Sequence, residues 1–159
     1  AAGFGGGPRV AIFDGNTVPS NHPDRLLADF FVFEQTLRNG VYVAAGDVNG
    51  DGRADLTVGG GPGGGPRVMA LDGAALAKGD TTKVVYNFFA GNTDNRGGIR
   101  IAYKNLDGDN QADLVVGDGE DAGSHVTAYP GRVLVTGVTP APIFSFDELP
   151  GFTGGVYVG

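Results

Sequence analysis

The chain has 159 residues, 30 of them glycine, with no cysteine and a formal net charge of -7. Glycine without a three-residue period excludes collagen, 41% hydrophobic against 18% charged residues excludes a disordered polyelectrolyte, and an acidic chain with scattered Lys and Arg excludes a nucleic-acid partner. No apolar run approaches the ~20 residues of a membrane-inserted helix, and absent cysteine excludes disulfides, thiol catalysis and cysteine-held metals.

In chain order, Gly5-Gly6-Gly7-Pro8-Arg9-Val10 and Asp14-Gly15 come first, then a long insertion from Asn16 to Ala28, then Phe30-Phe31. The next stretch reads as four short strands, Val41–Ala45, Ala54–Val58, Arg67–Leu71 and Lys83–Phe89. Each is apolar, rich in β-branched or aromatic residues, and bounded by Gly, Pro, Asn or Asp. Helical periodicity is confined to one turn at Ala74–Ala77.

A shift of 58 residues superposes the chain on itself. Gly63-Gly64-Gly65-Pro66-Arg67-Val68 repeats Gly5 to Val10 without a mismatch, and Ala54-Asp55-Leu56 returns as Ala112-Asp113-Leu114. Phe30-Phe31 returns as Phe88-Phe89, and Gly40-Val41-Tyr42-Val43 as Gly155-Val156-Tyr157-Val158 with a one-residue slip. Four strands at such a period are the signature of a propeller blade, whereas a sandwich needs no such repeat. The expected fold is all-β, with β-propeller blades of four antiparallel strands. The expected array is 1–40 a partial blade, 41–98 and 99–154 two blades, and 155–159 the first strand of a further one, eleven strands in all.

Gly59-Gly60-Gly61-Pro62-Gly63-Gly64-Gly65 is not a phosphate loop, because no Lys-Ser/Thr and no helix follow it. The specific motif is Asp47-Val48-Asn49-Gly50-Asp51-Gly52-Arg53-Ala54-Asp55. Oxygen-bearing residues at positions 1, 3, 5 and 9, with glycine at the sharp turn, form the first half of a calcium loop. Asp47, Asn49, Asp51 and Asp55 would offer side chains, and Arg53 its carbonyl. The second copy offers Asn105, Asp107, Asp109, Gln111 and Asp113. There Asn105 replaces an Asp, and Asn110 replaces the glycine as the residue that best tolerates left-handed backbone. The reading is two Ca2+ sites per chain, the second weaker; a metal-free acidic turn is the alternative.

These loops, with Leu56-Thr57-Val58-Gly59-Gly60-Gly61-Pro62, Gly65-Pro66-Arg67-Val68 and Asp72-Gly73, make the chain resemble the FG-GAP (VCBS-like) repeat family, also found in the propeller of integrin α subunits. The resemblance covers essentially the whole chain. It implies calcium loops between the first and second strands of blades set round a central axis. It says little of function, since such repeats serve adhesion proteins and carbohydrate-active enzymes alike. Under that strand order Ala1 begins just after a second strand and Gly159 stops just before a third loop. The chain is then expected to be part of a longer propeller, or to close by oligomerising, most simply as a dimer forming a six-bladed ring.

Catalytic groups are sparse. His22 lies in a polar loop, and Ser20, Ser124 and Ser145 lack a nucleophile elbow. Arg9, Arg67 and His125 share one repeat position, either as a ring for an anionic ligand or in local pairs. Glu120, Asp121 and Asp118 are scattered carboxylates. The expectation is a non-enzymatic, calcium-stabilised binding, adhesion or structural module, extracellular, cell-surface or periplasmic, with carbohydrate or protein as ligand. The alternatives are a propeller domain of a polysaccharide lyase or hydrolase, and an engineered or excised self-assembling fragment.

Overall fold

Short β-branched and aromatic runs between glycine turns give ten strands and almost no helix in the computed structural model, which describes residues 1–159. The strands are β1 (Arg9–Val10), β2 (Phe30–Phe31), β3 (Val41–Gly46), β4 (Asp55–Gly60), β5 (Arg67–Leu71), β6 (Val84–Phe89), β7 (Ile99–Lys104), β8 (Asp113–Asp118), β9 (His125–Tyr129) and β10 (Phe144–Asp147). One helical turn, α1 (Gly73–Leu76), follows β5, and another, α2 (Gly131–Leu134), follows β9. No helix is long and apolar enough to cross a membrane.

All strands pair antiparallel, in three sheets: β1-β2, β3-β4-β5-β6 and β7-β8-β9-β10. The elements of the third sheet lie 58 residues after those of the second, from Val41 and Ile99 to Phe89 and Asp147. Register follows the same offset. Arg9 faces Phe31, Arg67 faces Phe89, and His125 faces Asp147.

Two cores join the sheets in chain order. One gathers Val10 and Val32 with Val41, Val58, Met69 and Leu71. The other gathers Val68, Ala70 and Tyr86 with Ile99, Ile101, Leu114 and Val116. β7 packs on β3 and β4, and Gly59 permits the approach: a Cβ there would stand 2.5 Å from the Ile99 carbonyl oxygen. A glycine at that point is therefore a packing requirement rather than a source of flexibility.

Ten strands replace the eleven expected, because residues 155–159 form no assigned strand. They still lie along the third sheet: Val156 N–H donates to the Asp118 carbonyl, and the Arg100 guanidinium donates to the Val156 carbonyl. No second strand of this chain lies beside them to complete a ladder.

One polar cluster sits between the second and third sheets. The hydroxyls of Thr57, Tyr86 and Tyr103 bond one another. Burial pushes the Tyr86 phenol up to about 12 and the Tyr103 phenol well above its ordinary value. A raised folded pKa stabilises the fold below the unfolded value of ~10, and that contribution is lost as pH rises through the folded value. A tyrosinate absorbance titration is therefore expected to show Tyr86 and Tyr103 ionising well above the ordinary ~10, together with unfolding. Five tyrosines titrating together near ~10 would contradict the buried cluster.

Candidate metal centre

Each four-stranded sheet opens with a loop between its first and second strands, and a buried aspartate closes each loop. Asp55 and Asp113 are fully buried. Asp55 accepts from the N–H of Val48 at 3.1 Å and of Gly73 at 2.8 Å. Asp113 accepts from Leu106 at 2.7 Å and Gly131 at 3.0 Å. One carboxylate thus ties the loop start, the second strand and the helical turn. Gly73 lies so close to the strand that a Cβ would stand 1.9 Å from the Ala54 carbonyl oxygen.

The first loop curls on Asp47. Its Oδ1 accepts from Gly50 and Asp51, and its Oδ2 accepts from Gly52. Gly50 and Gly52 take positive φ, 76° and 81°. Asn49 Oδ1 accepts from the Asp51 N–H, and Asp51 Oδ1 from the Arg53 N–H. Asp72, outside the predicted ligand set, is buried, caps α1 by accepting from the Ala75 N–H and receives Asn49 Nδ2 at 3.4 Å. Its signal was available: Asp72-Gly73 precedes the one helical turn and repeats Asp14-Gly15.

A cation suits this donor set. No basic side chain touches Asp55, and burial raises its pKa, the mark of a carboxylate short of counter-charge. Lys83 pairs with Asp72 at 2.8 Å, and Asp72 lies correspondingly low. All the donors are hard oxygens, the set calcium prefers. Three or more carboxylates or imidazoles do not converge as a ready-made cluster; several loop oxygens face backbone N–H groups instead.

The second loop differs. Asn105 has one acceptor oxygen, which receives the Gly108 N–H, while its amide donates to the Asp109 carbonyl. The second carboxylate oxygen that takes Gly52 N–H in the first loop has no equivalent. Asn110 does not adopt the left-handed backbone expected for it; only Asn21 and Asp121 do so among non-glycines. Gln111 N–H donates to Asp109 Oδ1 at 2.7 Å. Arg132 Nη1 approaches Asp107 Oδ2 at 3.0 Å and Asp109 Oδ2 at 3.5 Å.

The shared position of Arg9, Arg67 and His125 makes local pairs. Arg9 pairs with Asp29, and Arg67 with Glu34 and Asn87. His125 Nδ1 meets Asp147 Oδ1 at 2.8 Å, and its Nε2 meets Ser145 Oγ at 2.7 Å. This Asp–His–Ser line was not visible from the adjacent Ser124-His125, because β10 supplies both partners by cross-strand register. A cleft of about 510 Å³ lies beside Arg67 on the first core's rim, lined by Phe33, Phe89, Arg96, Glu34 and Asn39 as well. Tyr42 and Tyr157 do not stack on each other; the Arg100 guanidinium lies over both rings, at 5.9 and 4.1 Å.

No family profile, curated protein or solved structure matches this chain.

Proposed function

We propose that the chain is a calcium-stabilised β-propeller binding or adhesion module of the FG-GAP/VCBS-like kind, acting outside the cytoplasm and without catalysis. The observation that carries this is the pair of oxygen-rich loops closed by buried Asp55 and Asp113 at the same place in two sheets of the same order. Each sheet is then a blade, 41–98 and 99–154, with 1–40 a partial blade and 155–159 the first strand of another. Asp47, Asn49, Asp51 and Asp55, with the Arg53 carbonyl, would hold one ion. Asn105, Asp107, Asp109 and Asp113, with the Gln111 carbonyl, would hold a second more weakly. The metal supplies counter-charge to buried oxygens and takes the stapling role of absent disulfides. The cleft of Phe33, Phe89, Arg67 and Arg96 offers aromatic faces and cationic donors to a carbohydrate or a protein loop.

Assembly follows from the same stacking. In this reading a second copy that continued the packing of the blades would form a six-bladed ring. Binding to the folded state alone adds about 2.7 kcal/mol at a calcium concentration 100 times Kd, or roughly 5–10 °C in Tm for a chain of this size. The expected outcome is a fall in Tm of that order with chelator, fully restored by millimolar calcium, and twice the chain mass by light scattering in calcium. An unchanged Tm would remove the metal, and a monomer at micromolar concentration would remove the dimer.

A second reading, a carbohydrate-active hydrolase, is favoured by the Asp147–His125–Ser145 line. His125 Nε2 could accept the Ser145 proton as Oγ attacks an ester carbonyl, and Asp147 would steady the imidazolium. The first reading treats the same line as a polar tie, like Arg9–Asp29 and Arg67–Asn87 at the equivalent positions. A fluorophosphonate probe separates them. The hydrolase requires one adduct at Ser145, lost in His125→Ala; absence of label, or label indifferent to His125, leaves the tie.

A further inference from the structure

The two loops carry three carboxylates each; Asn49 becomes Asp107, Arg53 becomes Gln111, and the loops differ in where those charges find partners. Asp47 becomes Asn105, so a carboxylate becomes an amide. Asp72, which contacts Asn49, has Pro130 as its counterpart on the 58-residue offset. Ala74 on α1 has Arg132 as its counterpart on α2. That guanidinium reaches back over the loop and meets Asp107 and Asp109, two of its three carboxylates. In the first loop no basic side chain touches Asp47, Asp51 or Asp55; the nearest ion pair is Lys83 on Asp72.

We infer that Arg132 is the resident counter-ion of the second loop, so that calcium fills the first loop while the second stays closed by the protein's own cation. The inference rests on the reading that the first loop binds calcium. A dication entering the second loop meets a positive charge already on Asp107 and Asp109 and must displace it. Arg132 is itself largely exposed, and its pairs are individually weak. The cost of displacing them is modest, but repulsion between a guanidinium and a dication a few ångströms away adds to it. Together they place the second loop about tenfold or more below the first in affinity. Asn105 contributes to the same end, since its amide group holds the Asp109 carbonyl.

Isothermal titration calorimetry of the full chain with calcium chloride tests this. Wild type is expected to take one ion per chain in the range that fills the first loop. Arg132→Ala should take two, with the second site tightened about tenfold. Arg132→Gln keeps the stem and a polar head without the charge and guards against a packing artefact; it should behave like Arg132→Ala, whereas Arg132→Lys should stay near wild type. Asp51→Ala should abolish the wild-type site, and the double variant Asp51→Ala/Arg132→Ala should keep only the second. Two equal sites in wild type, or an unchanged second loop in both Arg132→Ala and Arg132→Gln, overturn the inference while leaving the calcium reading intact. No calcium binding in any variant overturns both.

Discussion

The structure depends on one buried carboxylate in each four-stranded sheet. Asp55 and Asp113 accept two backbone N–H groups each, and those groups belong to segments far apart in sequence. An unpaired buried donor costs about 1–3 kcal/mol, so each aspartate fixes the loop and the helical turn against the second strand. The same bonds are incomplete compensation for a buried negative charge, which is why the Asp55 pKa rises. Protonation is one way to satisfy such a group, and a cation is the other. In the proposed reading a metal takes that role in the first loop, while in the second Arg132 pairs with the neighbouring Asp107 and Asp109.

Much of this architecture was readable from the 58-residue self-similarity. Matching residues at matching offsets placed Arg67–Leu71 as observed, the other three strands of that unit to within two residues and α1 to within one, while the expectation of a single helical turn missed α2, which lies 58 residues after α1. The second strand begins at Asp55 rather than Ala54 because Asp55 already pairs with Gly46. The loops were equally readable, because their ligand-type residues lie within nine positions of one another. What local spacing could not give were partners supplied by distant segments. Asp72 and Arg132 each reach their loop across 23 residues. Ser145 and Asp147 reach His125 only through the register of β9 and β10. Asn110 stays outside the left-handed region that its glycine counterpart Gly52 occupies, which its own propensity does not foretell.

The lateral contacts show how the sheets vary on a common plan. One repeat position holds Arg9, Arg67 and His125, and each finds a cross-strand polar partner of its own. Another holds Tyr42, Arg100 and Tyr157, where a buried guanidinium lies between two phenol rings. Cation–π contact contributes roughly 0.5–2 kcal/mol and links three successive segments of the array. Glycines at Gly59 and Gly117 allow those segments to approach, the latter bringing the Val156 carbonyl oxygen within 2.8 Å of where a Cβ would stand. The high glycine content is thus largely a consequence of close sheet packing and tight loops.

The central proposal is that metal holds the first loop far more tightly than the second, where Arg132 already meets Asp107 and Asp109. Amide hydrogen exchange at four residues measures this directly, comparing calcium with chelator under conditions where the chain stays folded. The account predicts that exchange at Val48 and Gly73 quickens about tenfold or more in chelator, while Leu106 and Gly131 change little. Equal protection at all four amides in both buffers would contradict it.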